Sequence, residues 1–470
     1  MYILGVVIIT FTSIPMNQRQ LLLLLALFLI APQASCQNEP TEMKDRLSQL
    51  LSTYEDWGFS GTVLVARGSE VLFEEGYGFA NRKSGERNTA ETRYDFASVA
   101  KTFTGALVLR LEADGVFSVN DKLEKYMDAF PDARKSPVTL HHLATHTGGL
   151  AHRSQSQLVY GPDRGAFIES MRNAPFESPP GESYRYSNAG SSLLAAMAEK
   201  ISGISHEAYV RTHFFEPLGL NTARFIPETE YGEPGLALGY VDDSNTHAPS
   251  IYRGEWGWGF TGATGITASV QDIYTWFNAV YYGDVLPPDQ YKKAFDESEE
   301  EAYGWHTDRD EEGRLRVHKG GGLPAMQAQI LAYPEDDIVI VWAHNNMARN
   351  WRRALNNGIT AVALGESFGP IPELDLDYRP GERKPPKPGV YANAKGLLVE
   401  IREDNGMPVL GRNSLDITQG PLSAGQNKDW VLFSIEDVSW IRVYEDTDNT
   451  LILSGPNGLK TELRHTNRPN

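Results

Sequence analysis

Six prolines fall between residues 370 and 388 (Pro370, Pro372, Pro380, Pro385, Pro386 and Pro388), and neither a helix nor a central strand can run through such a stretch. They mark a linker over residues 369–388 that divides the 470-residue chain into a long mixed part and a short carboxy-terminal part. A chain of this length exceeds one ordinary core and suits two or three domains. Beyond the linker, alternating strands recur over 397–401, 430–434, 440–444 and 451–454. Residues 389–470 therefore read as a small all-β, barrel-like domain.

The long part, 41–368, mixes both kinds of element. Residues 42–54 form an amphipathic helix with Leu47, Leu50 and Leu51 on one face. A strand over 61–66, a turn at 67–70 and a partner over 71–77 make a hairpin. Two more strands, 326–333 and 338–343, flank a turn at 334–337, and a helix follows over about 348–364. Between these ends lie helices after Ser98 and over 191–201. The first buries Phe103, Leu107 and Leu111 and stops at Asp114-Gly115, where glycine serves as a left-handed cap. The acidic run 297–301 reads as a solvated face.

The amino terminus speaks to compartment. An apolar block over 21–30 follows Arg19 and precedes Ala34-Ser35-Cys36, the pattern of a secretory signal covering 1–36. Met16 is a candidate true start, because the apolar stretch before it has no positive residue; a hairpin anchor made of both stretches is the alternative. Cys36 is the only cysteine, so no intramolecular disulfide can form. Its place at the end of the signal makes it a candidate lipid anchor, with Ala34 and Ser35 suited to lipoprotein processing and Gln33 not. The chain is thus expected to be exported, periplasmic or held at the membrane as a lipoprotein. A formal net charge of −18 disfavours nucleic acid and anionic membrane surfaces as partners.

Three short patterns carry chemistry. Ser98-Val99-Ala100-Lys101 sets a hydroxyl and an ammonium on one face at a helix start, with unpaired N–H groups and a positive dipole end nearby. Those are the ingredients of an activated nucleophile, although S-x-x-K alone recurs by chance. Tyr186 and Asn188 stand two apart in a turn-rich loop that opens at Pro180-Gly181. There a phenol can move a proton and an amide can hold a carbonyl. His318-Lys319-Gly320-Gly321-Gly322 is a glycine-rich strand edge, open to close backbone approach and able to offer N–H groups to an oxyanion. His142 and His146 are four apart, but no glutamate lies between them and no third ligand is apparent; they read as structural in the turn, with no metal. Trp256, Trp258 and Phe260 either line an acyl-binding cleft or pack in the core.

In order and spacing the three patterns resemble the penicillin-recognising serine hydrolases: class C β-lactamases, D-alanyl-D-alanine carboxypeptidases and related esterases and D-aminopeptidases. The resemblance covers about residues 41–365. Tyr94 to Lys101 looks like the first motif with its approach strand, and Thr139 to Leu150 is similar to a stretch of the class C branch. Pro180-Gly181 through Tyr186-Ser187-Asn188 looks like the second motif, and Gly262 to Ser269 with Asp272 like the segment ahead of a further helix. The resemblance implies an α+β fold: an antiparallel sheet flanked by helices plus a mainly helical subdomain, spanning 41–368 and followed by the small β domain.

It also implies roles. Ser98 attacks a carbonyl and water hydrolyses the acyl-enzyme, with no cofactor. Lys101 or Tyr186 is the base: a lysine pair near Tyr186 favours its phenolate, while two close ammonium groups free a neutral lysine. Both routes stay open. Asn188 orients the substrate amide or Lys101. The oxyanion hole is the Ser98 N–H plus one from the glycine-rich strand. Lys319-Gly320-Gly321 aligns with the family's K-T-G or H-x-G triplet, with Gly322 as donor; a shifted register uses His318-Lys319-Gly320, with Gly321 as donor. In the first register Gly320 replaces a hydroxyl residue that grips a substrate carboxylate, which points to an ester or amide lacking one. The expected substrate is a small ester, amide or peptide; D-amino-acid peptidase and β-lactamase are alternatives. A non-catalytic binder of peptidoglycan-like or lactam ligands is the reading from a different class.

Overall fold

The computed structural model describes residues 39–56, 58–150, 163–241, 256–310, 312–347, 351–366 and 386–392, then 398–404, 407–413, 420–421, 423–424, 430–434, 439–447, 450–454 and 460–465. The signal segment 1–36, with Met16 and Cys36, and linker residues 369–385 lie outside the described residues. Contacts divide the chain into two compact units, Met1–Arg46 and Leu47–Asn470. In the first, the described residues are the start of helix α1 (Glu39–Asp56). Among the described residues, no helix is long and apolar enough to cross a membrane.

The second unit is organised on a six-stranded antiparallel sheet. Its strands are β1 (Gly61–Arg67), β2 (Glu70–Tyr77), β3 (His306–Arg309), β4 (Leu315–Leu323), β5 (Met326–Tyr333) and β6 (Ile338–His344), in the spatial order β2-β1-β6-β5-β4-β3. Gly61 pairs with His344 and Arg67 with Ile338, so strands from opposite ends of the sequence lie side by side. All seven residues of β6 are buried. Alternation sends them to two faces. Val339, Val341 and Ala343 join a core that includes Ile273 and Trp276 of helix α4 (Val270–Tyr281). On the opposite face Trp342 donates to Asn356 of helix α5 (Arg352–Ala363) at 2.9 Å. A strand covered on both faces must be apolar throughout, as Ile338 to Ala343 is.

The helical part is inserted between β2 and β3. Helix α2 (Ala100–Ala113) stacks Phe103 on Trp276 at 3.9 Å. Its end is a Schellman turn: Val116 N–H donates to Leu111 O and Gly115 N–H to Glu112 O, with Gly115 at φ +74°. A Cβ at Gly105 would collide with the Tyr303 carbonyl, so glycine lets the segment before β3 lie directly on the α2 backbone. Helix α3 (Asn188–Ser202) begins three residues before the expected Ser191, because Ser187 caps it by accepting from Gly190 N–H at 3.0 Å. Asn188 therefore sits in a first helical turn rather than a loop.

The carboxy-terminal strands form one nine-stranded antiparallel sheet in which Gly389–Ala392 pairs with the last strand, Lys460–His465. From Gly389 the chain meanders through Leu398–Asp404 and Met407–Asn413 to an edge at Gly420–Pro421. The other edge, Ser423–Ala424, follows after Leu422 alone, so the two ends of the sheet adjoin and the meander curls round on itself.

Candidate active site

Ser98 sits in a 3-10 turn (Ala97–Val99) that feeds directly into α2. Before it, Tyr94–Asp95 pairs with Thr267 and Ala268, and the Asp95 carboxylate accepts from Ala97 N–H at 2.8 Å. Ala97 has φ +46°, a left-handed conformation that costs a residue with a Cβ and sharpens the turn under the serine. Strand β4 abuts this turn backbone to backbone. A Cβ on Gly321 would collide with Phe96 O and stand 3.0 Å from Ser98 N, so only glycine brings the strand this close.

Among the described residues, two side chains reach Ser98. Its Oγ lies 2.6 Å from the Tyr186 hydroxyl and 3.1 Å from Lys101 Nζ. Lys101, only 3% exposed, also donates to Asn188 Oδ1 and to the Ala263 carbonyl, each at 2.7 Å. None of these contacts is a carboxylate. Burial therefore lowers its ammonium to about 7, against a weaker upward pull from Glu301. Burial also raises the Tyr186 phenol; Lys319 and the Ser98 hydrogen bond act downward, and Glu301 upward.

Lys319 forms an ion pair with Glu301, and its Nζ lies 5.5 Å from the Tyr186 ring centre. His318, one residue earlier, stacks on His306 at 4.9 Å and meets Asp308 at 3.4 Å, and both histidines line the same cleft as Lys319 and Tyr186, farther from Ser98. Lys319 is thus the β4 side chain beside Tyr186, the geometry of the Lys319-Gly320-Gly321 register. Both residues border an open cleft with Gly320, Gly321, Gly322 and Arg352. Strand β3 pairs only with Leu315 to His318, so the outer edge of β4 beyond His318 has no β3 partner where a substrate would approach. Arg352 Nη2 fills the space that a side chain at Gly320 would need.

Two expectations change. The acidic run is not wholly a solvated face: Glu301 is fully buried, turned inward where the run meets Ala302-Tyr303-Gly304-Trp305. Besides Lys319 it accepts from the Tyr184 hydroxyl at 3.2 Å and meets His146 Nε2 and His306 Nε2, each at 3.2 Å. Burial acts to raise its carboxyl, but Lys319, His146 and His306 outweigh that and hold it well below the usual carboxylate range. The histidine pair also separates. His142 completes a capping box with Thr139, while His146 enters the site network at φ +56°. In the aromatic run, for which cleft lining and core packing were the alternatives, Trp258 and Phe260 are buried, and the loop after them supplies the Ala263 carbonyl to Lys101. Charge runs and turn histidines carry no local mark of such long-range contacts. The one available signal was the abrupt change from acidic to aromatic residues at Glu301.

The sequence model of the beta-lactamase family matches residues 48–365. The chain belongs to the beta-lactamase family. Penicillin-binding protein 4* of Bacillus subtilis (strain 168) is 25% identical over 354 residues, covering 69% of this chain and 76% of that protein. The octameric penicillin-binding protein homologue from Pyrococcus abyssi superposes with a TM-score of 0.61 at 21% identity, over 89% of this chain and 100% of that one. A class C beta-lactamase from Rhodobacter sphaeroides gives a TM-score of 0.56 at 18% identity, over 68% of this chain and 98% of that one. At these identities the structural likenesses speak for the fold, which is the beta-lactamase/transpeptidase fold that the motifs implied. The family is one of serine hydrolases.

Proposed function

We propose that this member of the beta-lactamase family is an exported serine hydrolase that cleaves an ester or amide through an acyl-enzyme on Ser98. One observation carries the reading: the three contacts of Lys101. Asn188 Oδ1 and the Ala263 carbonyl can only accept, so they take both N–H bonds of a neutral amine and leave its lone pair for Ser98 Oγ. The Ser98 proton passes to Lys101 as Oγ bonds the substrate carbonyl carbon, and the carbonyl electron pair moves onto oxygen. N–H groups of Ser98 and of the Gly321–Gly322 edge would receive that oxyanion. As the leaving group departs it takes the Tyr186 proton, and Lys101 restores the phenol. Water then adds to the acyl ester and frees Ser98. Export rests on the apolar block 21–30 between Arg19 and Ala34-Ser35-Cys36, with Cys36 as the candidate lipid anchor.

Gly320 lacks the hydroxyl that would grip a carboxylate, which favours small neutral esters. A second reading, a D-amino-acid peptidase or β-lactamase acting on carboxylate-bearing substrates, is supported by Arg352, whose guanidinium stands over Gly320. Assaying p-nitrophenyl butyrate, a chromogenic cephalosporin and a D-alanyl amide side by side decides between them, with Ser98→Ala as control. Ester turnover lost in Ser98→Ala is expected. Efficient cephalosporin or D-alanyl amide turnover selects the second reading, and no Ser98-dependent turnover of any of the three counts against both.

A further inference from the structure

Glu301 and His146 form a buried pair behind the site for which the hydrolytic cycle has no direct use. His146 brackets Tyr186 in the chain. Its carbonyl accepts from Arg185 N–H at 2.8 Å, and its ring Nδ1 accepts from Ser187 N–H at 3.1 Å. With Nδ1 occupied as an acceptor, the ring proton is on Nε2 and points at Glu301 Oε1, 3.2 Å away. The His146 and Tyr186 rings are 4.7 Å apart between centres. Burial lowers the imidazole, so His146 contributes a hydrogen bond here and no charge. The buried charges behind Tyr186 are then Lys319 and Glu301, in contact, with Glu301 reached also by Tyr184 from the segment before α3 and by His306 from β3.

This arrangement bears on which group takes the proton of Ser98. A lone ammonium at Lys319 would pull Tyr186 toward phenolate. A carboxylate in direct contact with that ammonium opposes and weakens the pull. Resting on the proposed Ser98 chemistry, we propose that Glu301, steadied by His146, is a positioning counter-charge for Lys319 that keeps Tyr186 a neutral phenol and leaves Lys101 to act as the base. The groups facing Tyr186 are Ser98 and Lys101 from the α2 side, Lys319 from β4 and His146 from the turn after Leu140–Ala144. Tyr186 then donates a hydrogen bond to Ser98 Oγ and later gives its proton to the leaving group.

The test is the alkaline limb of the kcat/KM–pH profile for whichever substrate Ser98 turns over. Glu301→Gln leaves the Lys319 charge unmatched. Its alkaline limb should fall by about one pH unit or more, so that activity at a pH above the wild-type limb drops roughly tenfold relative to wild type. Glu301→Asp keeps the charge and should keep the wild-type limb even if kcat is reduced. Glu301→Gln/Lys319→Gln removes both charges and should restore the limb. A limb in Glu301→Gln that coincides with wild type, or a loss uniform across pH, overturns the proposal. A second measurement covers failure of Glu301→Gln to fold: tyrosinate absorbance of wild type minus Tyr186→Phe. No Tyr186 phenolate is expected below the ordinary tyrosine range of about pH 10, and its appearance there overturns the proposal. Ser98→Ala, run alongside, separates the two claims. Turnover that survives Ser98→Ala refutes the acyl-enzyme, whereas Ser98-dependent turnover with an unmoved limb refutes only the role of Glu301.

Discussion

Lys101 is an amine buried where its charged form is disfavoured, and its function and its cost have the same origin. The folded protein lowers it to about 7, while an unfolded lysine titrates near 10.4. Between those values the unfolded chain binds the extra proton, so this site makes stability rise with pH from about 7 to about 10, and its full cost applies below about 7. At about 1.36 kcal/mol per pH unit that cost is on the order of 4 kcal/mol at neutral pH, offset by the hydrogen bonds to Asn188 and Ala263. Lys101→Met should therefore melt a few degrees above wild type at pH 7 while losing about 10³-fold or more in kcat/KM. A lower melting temperature would contradict this account of the burial. Ser98 and Lys101 stand one helical turn apart, but that spacing and the pair of Tyr186 and Asn188 were legible only jointly, through the resemblance of all three patterns to the penicillin-recognising serine hydrolases. Glu301 was not legible in the sequence. Its partners come from β4, from the turn at His146 and from the segment holding Tyr184, and no local pattern records contacts that long-range.

Among the elements, β4 and the turn below Ser98 depend on each other most closely. Replacing a strand glycine by alanine ordinarily gains roughly 0.5–1 kcal/mol through chain entropy. At Gly321 the added methyl meets the Phe96 carbonyl, a backbone atom with no rotamer to yield, so the collision outweighs the gain. Gly321→Ala should lower the melting temperature and cut kcat/KM by about 10²-fold or more, because a displacement near 1 Å at the nucleophile suffices for that. Near-wild-type kinetics would show that the contact is not needed. The glycine run was readable as a strand edge that permits close approach. That it remains a full strand, Leu315–Leu323, paired to β5 throughout the glycines, depends on tertiary pairing that strand propensity does not express. Strands β1, β5 and β6 were plain in the sequence because buried strands are apolar. The start of α3 was missed because a Ser187 cap preceded by Tyr186 looks like polar loop.

At the scale of the whole molecule, the sheet joins the two ends of the sequence 48–365, and the site forms where the inserted helices return to it. Ser98 comes from the start of the insertion, Tyr186 and Asn188 from its middle, and Lys319 from the strand after it. In the carboxy-terminal meander the first strand, Gly389–Ala392, pairs with the last, Lys460–His465. Alternating strands announced its class, but pairing of the first strand with the last is a property of topology that alternation does not encode. On the proposed chemistry, an acyl group lands on Ser98. The direct measurement is the intact mass of the protein after a fluorophosphonate probe, with peptide mapping, for wild type and Ser98→Ala. A single adduct on the peptide bearing Ser98 and none on the variant is expected. An unlabelled wild type, or an adduct that persists in Ser98→Ala, would contradict that chemistry.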